Sequence, residues 1–164
     1  MIACTGVEDE LQEDVEECIN EFREAGIKFW MLTGDLGHTA QEIGYNCGVI
    51  SRDEQTNSIF KLEANDGETL SRLINEHASS IENSRRAGKS VSVLVSGQAF
   101  YIASRLDAST LEIFQRNILL SADSVILYRS SPKQKAEVVD LVRKLHNDKL
   151  TLAIGDGFND VNMI

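Results

Sequence analysis

Ile27-Lys28-Phe29-Trp30-Met31-Leu32-Thr33-Gly34-Asp35 sets the fold class. The apolar run is strand-sized and nearly unbroken, as in a strand covered on both faces, and it stops on a threonine, a glycine and an aspartate. Upstream, Val15, Cys18, Ile19, Phe22 and Ala25 recur at helical spacing before Gly26, which predicts a surface helix of about three turns with a glycine cap. Downstream, Ala40, Ile43 and Cys47 share one helical face, and Gly48 closes that helix. Helix, strand and helix in this order predict an α/β protein with a mostly parallel sheet.

The same alternation resumes further along. Residues 51–67 are polar and weakly patterned, as in an exposed connection. Leu70, Leu73, Ile74, His77 and Ile81 restore helical spacing, and Arg85-Arg86-Ala87-Gly88-Lys89 ends that helix. A short strand is predicted at 91–95, a turn at Gly97, and a helix through Leu111, Phe114 and Ile118. Residues 124–128 predict another strand, and Pro132 opens a helix carrying Ala136, Val139, Leu141, Val142 and Leu145. A last buried strand is predicted at 150–154. Polar clusters after three strands, at Thr33, Arg129 and Asp156, then converge beyond the carboxyl ends of the sheet.

The chain has 164 residues, enough for one α/β unit and short for two. Acidic residues outnumber basic ones 26 to 16, for a net charge of -10, which argues against a nucleic-acid partner. An acidic domain remains compatible with nucleotide chemistry, because Mg²⁺ bridges carboxylates to phosphates. Cys4, Cys18 and Cys47 form no close pair and are expected as small buried hydrophobes in a reducing compartment. No apolar run is long enough to span a membrane. The chain stops at Ile164, just inside a predicted helix, so a truncated carboxyl terminus is expected.

Three clusters carry chemistry. In Gly155-Asp156-Gly157-Phe158-Asn159-Asp160, two carboxylates and an amide face a hard cation, or the same residues form a turn with Asp160 capping a helix. Thr33-Gly34-Asp35 offers a hydroxyl and backbone N–H groups to a phosphoryl oxygen, or simply closes a turn. Lys135, in the first turn of its helix, neutralises phosphoryl oxygens or is a solvated charge; Lys133 competes with it for the first role. Arg129 leaves a strand beside them and binds nucleotide phosphate or ribose oxygens, or is a surface turn arginine. His38, His77 and His146 have no ligand-like partners, and Trp30 is expected in the core.

In this order the clusters resemble the phosphorylation domain of P-type ATPases, within the haloacid-dehalogenase superfamily. The resemblance is carried by Gly6-Val7-Glu8-Asp9-Glu10-Leu11-Gln12, Gly26-Ile27-Lys28, Met31-Leu32-Thr33-Gly34-Asp35, Ser131-Pro132-Lys133-Gln134-Lys135 and Gly155-Asp156-Gly157-Phe158-Asn159-Asp160. Trp30, Ile43-Gly44-Tyr45-Asn46-Cys47 and Val161-Asn162-Met163-Ile164 resemble the phospholipid-transporting branch. The likeness implies the later portion of that domain across residues 1–164, loose from about 51 to 121, where a helical insertion is expected. It implies an incomplete Rossmann-like parallel sheet flanked by helices.

It also implies roles. Thr33 contacts the phosphoryl group, Gly34 shapes the turn, and Asp35 orders the nucleotide side. Arg129 assists ATP binding and Lys135 neutralises the phosphoryl group. Asp156 ligates Mg²⁺, with Asn159 and Asp160 organising the metal and phosphate site. The parent is implied to be an integral membrane protein that moves phospholipid, with this segment cytoplasmic and an accessory membrane subunit as a further partner. The family's nucleophilic aspartate lies in an Asp-Lys-Thr-Gly motif that this sequence does not contain. The segment alone is therefore expected to be inactive, and its open sheet edge to favour self-association. Leu36-Gly37-His38, Phe158 and Tyr128-Arg129-Ser130-Ser131 depart from the family pattern. Those departures keep two other readings open, a soluble haloacid-dehalogenase-like phosphatase and a catalytically degenerate regulatory domain.

Overall fold

The computed structural model describes residues 11–164; Cys4 and the expected family stretch from Gly6 to Glu10 lie outside them. Four strands, β1 (Phe29–Leu32), β2 (Asn57–Leu62), β3 (Ser90–Ser96) and β4 (Ser124–Tyr128), form one parallel sheet in the order β1-β4-β3-β2. The α/β expectation holds. The middle section from 51 to 121, expected as a helical insertion, supplies β2 and β3, half of the sheet's strands.

Helices cover both faces. Val91, Val93, Val95, Val125 and Leu127 point towards α3 (Gly67–Arg86), α4 (Gly97–Ala103), a π-helical stretch at Ile113–Leu119 that continues α5 (Ala108–Glu112), and α6 (Pro132–Leu145). Leu94, Ile126 and Tyr128 face the other way, towards α1 (Val15–Glu24) and α2 (Gly37–Asn46). Alternation along each strand thus feeds two cores, and the central strands β3 and β4 are buried almost throughout. Local chemistry fixes the helix ends. Asp66 and Asp107 accept the N–H of Thr69 and Thr110 at 2.8 and 3.0 Å, capping α3 and α5. Gly26 and Gly88 adopt φ of 81° and 74° just past α1 and α3, a conformation that glycine enters without a Cβ penalty.

Several expectations are corrected. The polar stretch 51–67 contains β2, an edge strand whose Asn57 is buried because the Ser90 and Ser92 hydroxyls donate to its Oδ1 and its own amide reaches the Ser51 carbonyl. Gly97 starts α4 rather than only turning the chain. Cys18 is exposed, on the solvent side of α1, whereas Cys47 is buried as expected. The predicted strand at 150–154 is irregular, and its Leu150, Leu152 and Ile154 are 104%, 82% and 79% exposed. A parallel strand needs a neighbouring backbone, and among the described residues none pairs with this segment. The free long edge of β1 is likewise without a partner strand.

Candidate functional site

The site begins where adjacent strands send the chain to opposite faces. After β1 the chain enters α2 on one side of the sheet; after β4, its hydrogen-bonded neighbour, it enters α6 on the other. Such a divergence opens a crevice at the carboxyl ends of the strands, the place where open α/β sheets take ligands. Thr33-Gly34-Asp35 lines one side of it and Arg129-Ser130-Ser131 the other.

Hydrogen bonds tie the two turns together. The Thr33 N–H donates to the Leu127 carbonyl at 2.9 Å, the Arg129 N–H to the Asp35 carbonyl at 2.9 Å, and the Ser130 N–H and hydroxyl both to the Thr33 carbonyl, at 3.0 and 2.8 Å. Within its own turn, the Thr33 hydroxyl donates to Asp35 Oδ2 at 2.8 Å and accepts the Asp35 N–H at 3.1 Å. Arg129 holds the turn with φ of 50°, an uncommon conformation for a residue with a side chain. A Cβ added at Gly34 would meet only the Ser130 carbonyl, at 3.8 Å, so this turn is uncrowded at its Cα.

The second half of the site hangs from α6. Ser131 caps the helix by accepting the Gln134 N–H, while the Gln134 side chain accepts the Ser131 N–H at 2.9 Å and donates to the Gly97 carbonyl at 2.6 Å. This reciprocal box, with Pro132 following the cap, fixes the start of α6 and pins it to α4. One turn in, Lys135 is only 6% exposed, and its Nζ donates to Asp160 Oδ1 at 2.7 Å. The hydrogen bond from Lys135 holds the Asp160 carboxyl below the ordinary aspartate range, against an opposing effect of desolvation. A cation near a helix amino terminus is unfavourable, so the Asp160 carboxylate offsets both the helix field and the burial.

Asp160 reaches Lys135 from a 3₁₀ turn, Phe158–Asp160, whose last N–H bonds the Gly157 carbonyl at 3.0 Å. Any Cβ at Gly155 would overlap the Asp160 side chain from its Cβ outward, so that glycine is required by close approach, whereas one at Gly157 would meet only the end of the exposed Asn159 side chain. Asp156 and Asn159 are exposed on this loop. The structure therefore gathers Thr33, Gly34, Asp35 and the Arg129 backbone in one bonded group, and Lys135 with Asp160 in another. The Arg129-Ser130-Ser131 loop is common to both. Lys133, the alternative cation, is exposed and lies 3.5 Å from Glu137.

Among the described residues no three His, Cys, Asp or Glu side chains cluster as a ready-made metal cage. Mg²⁺ does not need one: it commonly binds one or two carboxylates and completes its shell with waters and substrate phosphates. The exposed Asp156 carboxylate fits that donor set, whereas Asp160 is engaged by an ammonium. Beside the site, Ser96, Gln98, Tyr101, Arg105, Arg129 and Lys133 line a cleft of about 910 Å³ over the ends of β3 and β4. Two contributors escaped the sequence reading. The Ser-x-x-Gln spacing of Ser131 and Gln134 announces a capping box, but nothing local marks Ser130 as a bridge to Thr33.

No protein-family model matches the chain. Over its whole length it is 38% identical to phospholipid-transporting ATPase VD of Mus musculus and 36% identical to phospholipid-transporting ATPase 2 of Arabidopsis thaliana. Over 98% of its length it is 40% identical to phospholipid-transporting ATPase dnf1 of Schizosaccharomyces pombe. The chain spans 12%, 14% and 11% of those proteins, respectively.

Proposed function

We propose that this chain is a segment of the phosphorylation domain of a phospholipid-transporting P-type ATPase, and that its site supports phosphoryl transfer to an aspartate supplied by another part of the parent. Whole-length identity to phospholipid-transporting ATPases supports the family. The observation that carries the chemistry is the buried Lys135–Asp160 pair, one turn into the helix whose preceding Arg129-Ser130-Ser131 loop is bonded to the Thr33 turn.

In this reading the Gly34 N–H, and the Thr33 hydroxyl once it turns from Asp35, donate to the phosphoryl oxygens where negative charge accumulates. Lys135 has three ammonium donors, and Asp160 uses one. The others remain for phosphoryl oxygens, while the carboxylate orients the ammonium. Asp156 holds Mg²⁺, which when bound neutralises phosphate charge, and Asn159 orders the loop around it. Arg129 and Asp35 belong to the ATP side. The aspartate nucleophile arrives on a strand that fills the free edge of β1 and gives 150–154 its missing partner. Membrane helices, phospholipid and an accessory subunit belong to the parent; among the described residues no helix is long and apolar enough to cross a membrane.

The test is transport by the purified full-length protein in proteoliposomes. The reading predicts ATP hydrolysis stimulated by a phospholipid and movement of headgroup-labelled lipid between leaflets, both lost in Lys135→Met. Lipid-independent hydrolysis of small phosphate esters, with no leaflet exchange, would instead identify a phosphatase.

A further inference from the structure

The divergence of α2 and α6 leaves the Thr33 turn needing a tether, because the chain on either side of the crevice is drawn to opposite faces of the sheet. The Thr33 carbonyl is that tether's anchor point. It accepts two donors from the same residue, the Ser130 N–H at 3.0 Å and the Ser130 hydroxyl at 2.8 Å. Ser130 is only 8% exposed, so these bonds are shielded from competing water.

The orientation of one carbonyl fixes a whole peptide plane. In a trans peptide the C=O of Thr33 and the N–H of Gly34 point in opposite directions. Two bonds that hold the Thr33 oxygen towards β4 therefore hold the Gly34 N–H away from it. A Cβ at Gly34 would meet only the Ser130 carbonyl, at 3.8 Å, so nothing crowds the Cα beside that N–H. Among the described residues the Gly34 N–H has no hydrogen-bond acceptor. It is a donor fixed in direction and free to bind.

We infer that Ser130 is a positioning residue whose hydroxyl locks the Thr33-Gly34 peptide so that the Gly34 N–H is aimed at a phosphoryl oxygen. The inference rests on the phosphoryl-transfer reading above and deepens it. Ser130 touches no ligand itself; it acts through the orientation of the turn.

A pair of variants in the full-length protein separates the hydroxyl from packing. Ser130→Thr keeps the hydroxyl and Ser130→Val has nearly the same shape without it. One hydrogen bond of this kind predicts about three- to ten-fold weaker inhibition by orthovanadate, a phosphoryl mimic, in the valine variant than in the threonine variant. The KM for ATP is expected to be alike in the two. Hydrogen exchange across 127–135 reads the tether without any catalysis, and should be faster in the valine variant. Equal vanadate inhibition in the two variants, or exchange unchanged by loss of the hydroxyl, overturns the inference. If the unmodified protein is insensitive to vanadate, the phosphoryl-transfer reading falls, and the aimed donor falls with it.

Discussion

Gln134→Ala tests how the site is held. The Gln134 side chain makes two bonds, accepting the Ser131 N–H at 2.9 Å and donating to the Gly97 carbonyl at 2.6 Å. Each is worth about 1 kcal/mol net when both partners lose it cleanly, so removal is expected to cost about 2 kcal/mol. In a domain of this size a loss of 1 kcal/mol moves the melting temperature by about 2–4 °C, which predicts a fall of about 4–8 °C by circular dichroism. Gln134→Glu dissects the two bonds. Its carboxylate still accepts the Ser131 N–H but faces the Gly97 carbonyl without a proton to donate, so it should recover the cap and lose the link to α4. Combining Gln134→Ala with Ser131→Ala should cost less than the sum, because the box is reciprocal. A melting temperature within 1 °C of the parent's for Gln134→Ala would refute the reasoning.

Other substitutions probe separate joints. A Cβ at Gly97 would overlap the Arg129 carbonyl, a backbone atom, and approach Gln134 Oε1 at 3.0 Å, so Gly97→Ala should destabilise by about 1–3 kcal/mol in a denaturant titration. Asp66 and Asp107 have carboxyls depressed below the usual aspartate range, chiefly because the Thr69 and Thr110 N–H groups donate to them. Their folded values lie under the unfolded value of about 3.9, so their contribution is present above that pH and is lost as pH falls through the depressed values. Unfolding titrations from pH 6 downwards should show a shallower acid loss in the Asp66→Asn, Asp107→Asn double variant; an unchanged slope would remove these caps from the account. Leu152 is 82% exposed, so Leu152→Ser in this chain should change stability by less than about 0.5 kcal/mol, whereas in the full-length protein a partnered strand would make the same change measurably destabilising.

The sequence made the apolar strands legible and left the polar edge strand β2 and the unpaired segment 150–154 obscure. β1 and β4 are continuous apolar runs because both of their faces are covered, and such runs survive any uncertainty about neighbours. β2 reads as loop because its polar Asn57 is satisfied by Ser90 and Ser92, more than thirty residues away, which no local pattern reveals. The opposite error occurred at 150–154. Leu150, Leu152 and Ile154 have strand composition, but composition does not supply a backbone to pair with.

The site divides in the same way. Thr33-Gly34-Asp35 and Gly155 to Asp160 were visible as polar turns after apolar runs, and Lys135 by its helical position. What local sequence left undecided was which lysine turns inward. Lys133 and Lys135 sit two apart on α6 and so point to different sides; Asp160, brought in by the 3₁₀ turn, meets only Lys135. Ser130 stayed hidden because its role depends on β1 and β4 being neighbours, a fact of sheet order.

The central claim is that these residues support phosphoryl transfer to an aspartate of the parent. Acid-stable labelling of the purified full-length protein by terminally labelled ATP and Mg²⁺ tests it most directly, with Asp156→Asn as the comparison. The account predicts Mg²⁺-dependent label on the unmodified protein and a large loss in the variant. Folded, ATP-binding protein that takes up no label where a competent ATPase does would contradict it, and would leave a degenerate regulatory domain in its place.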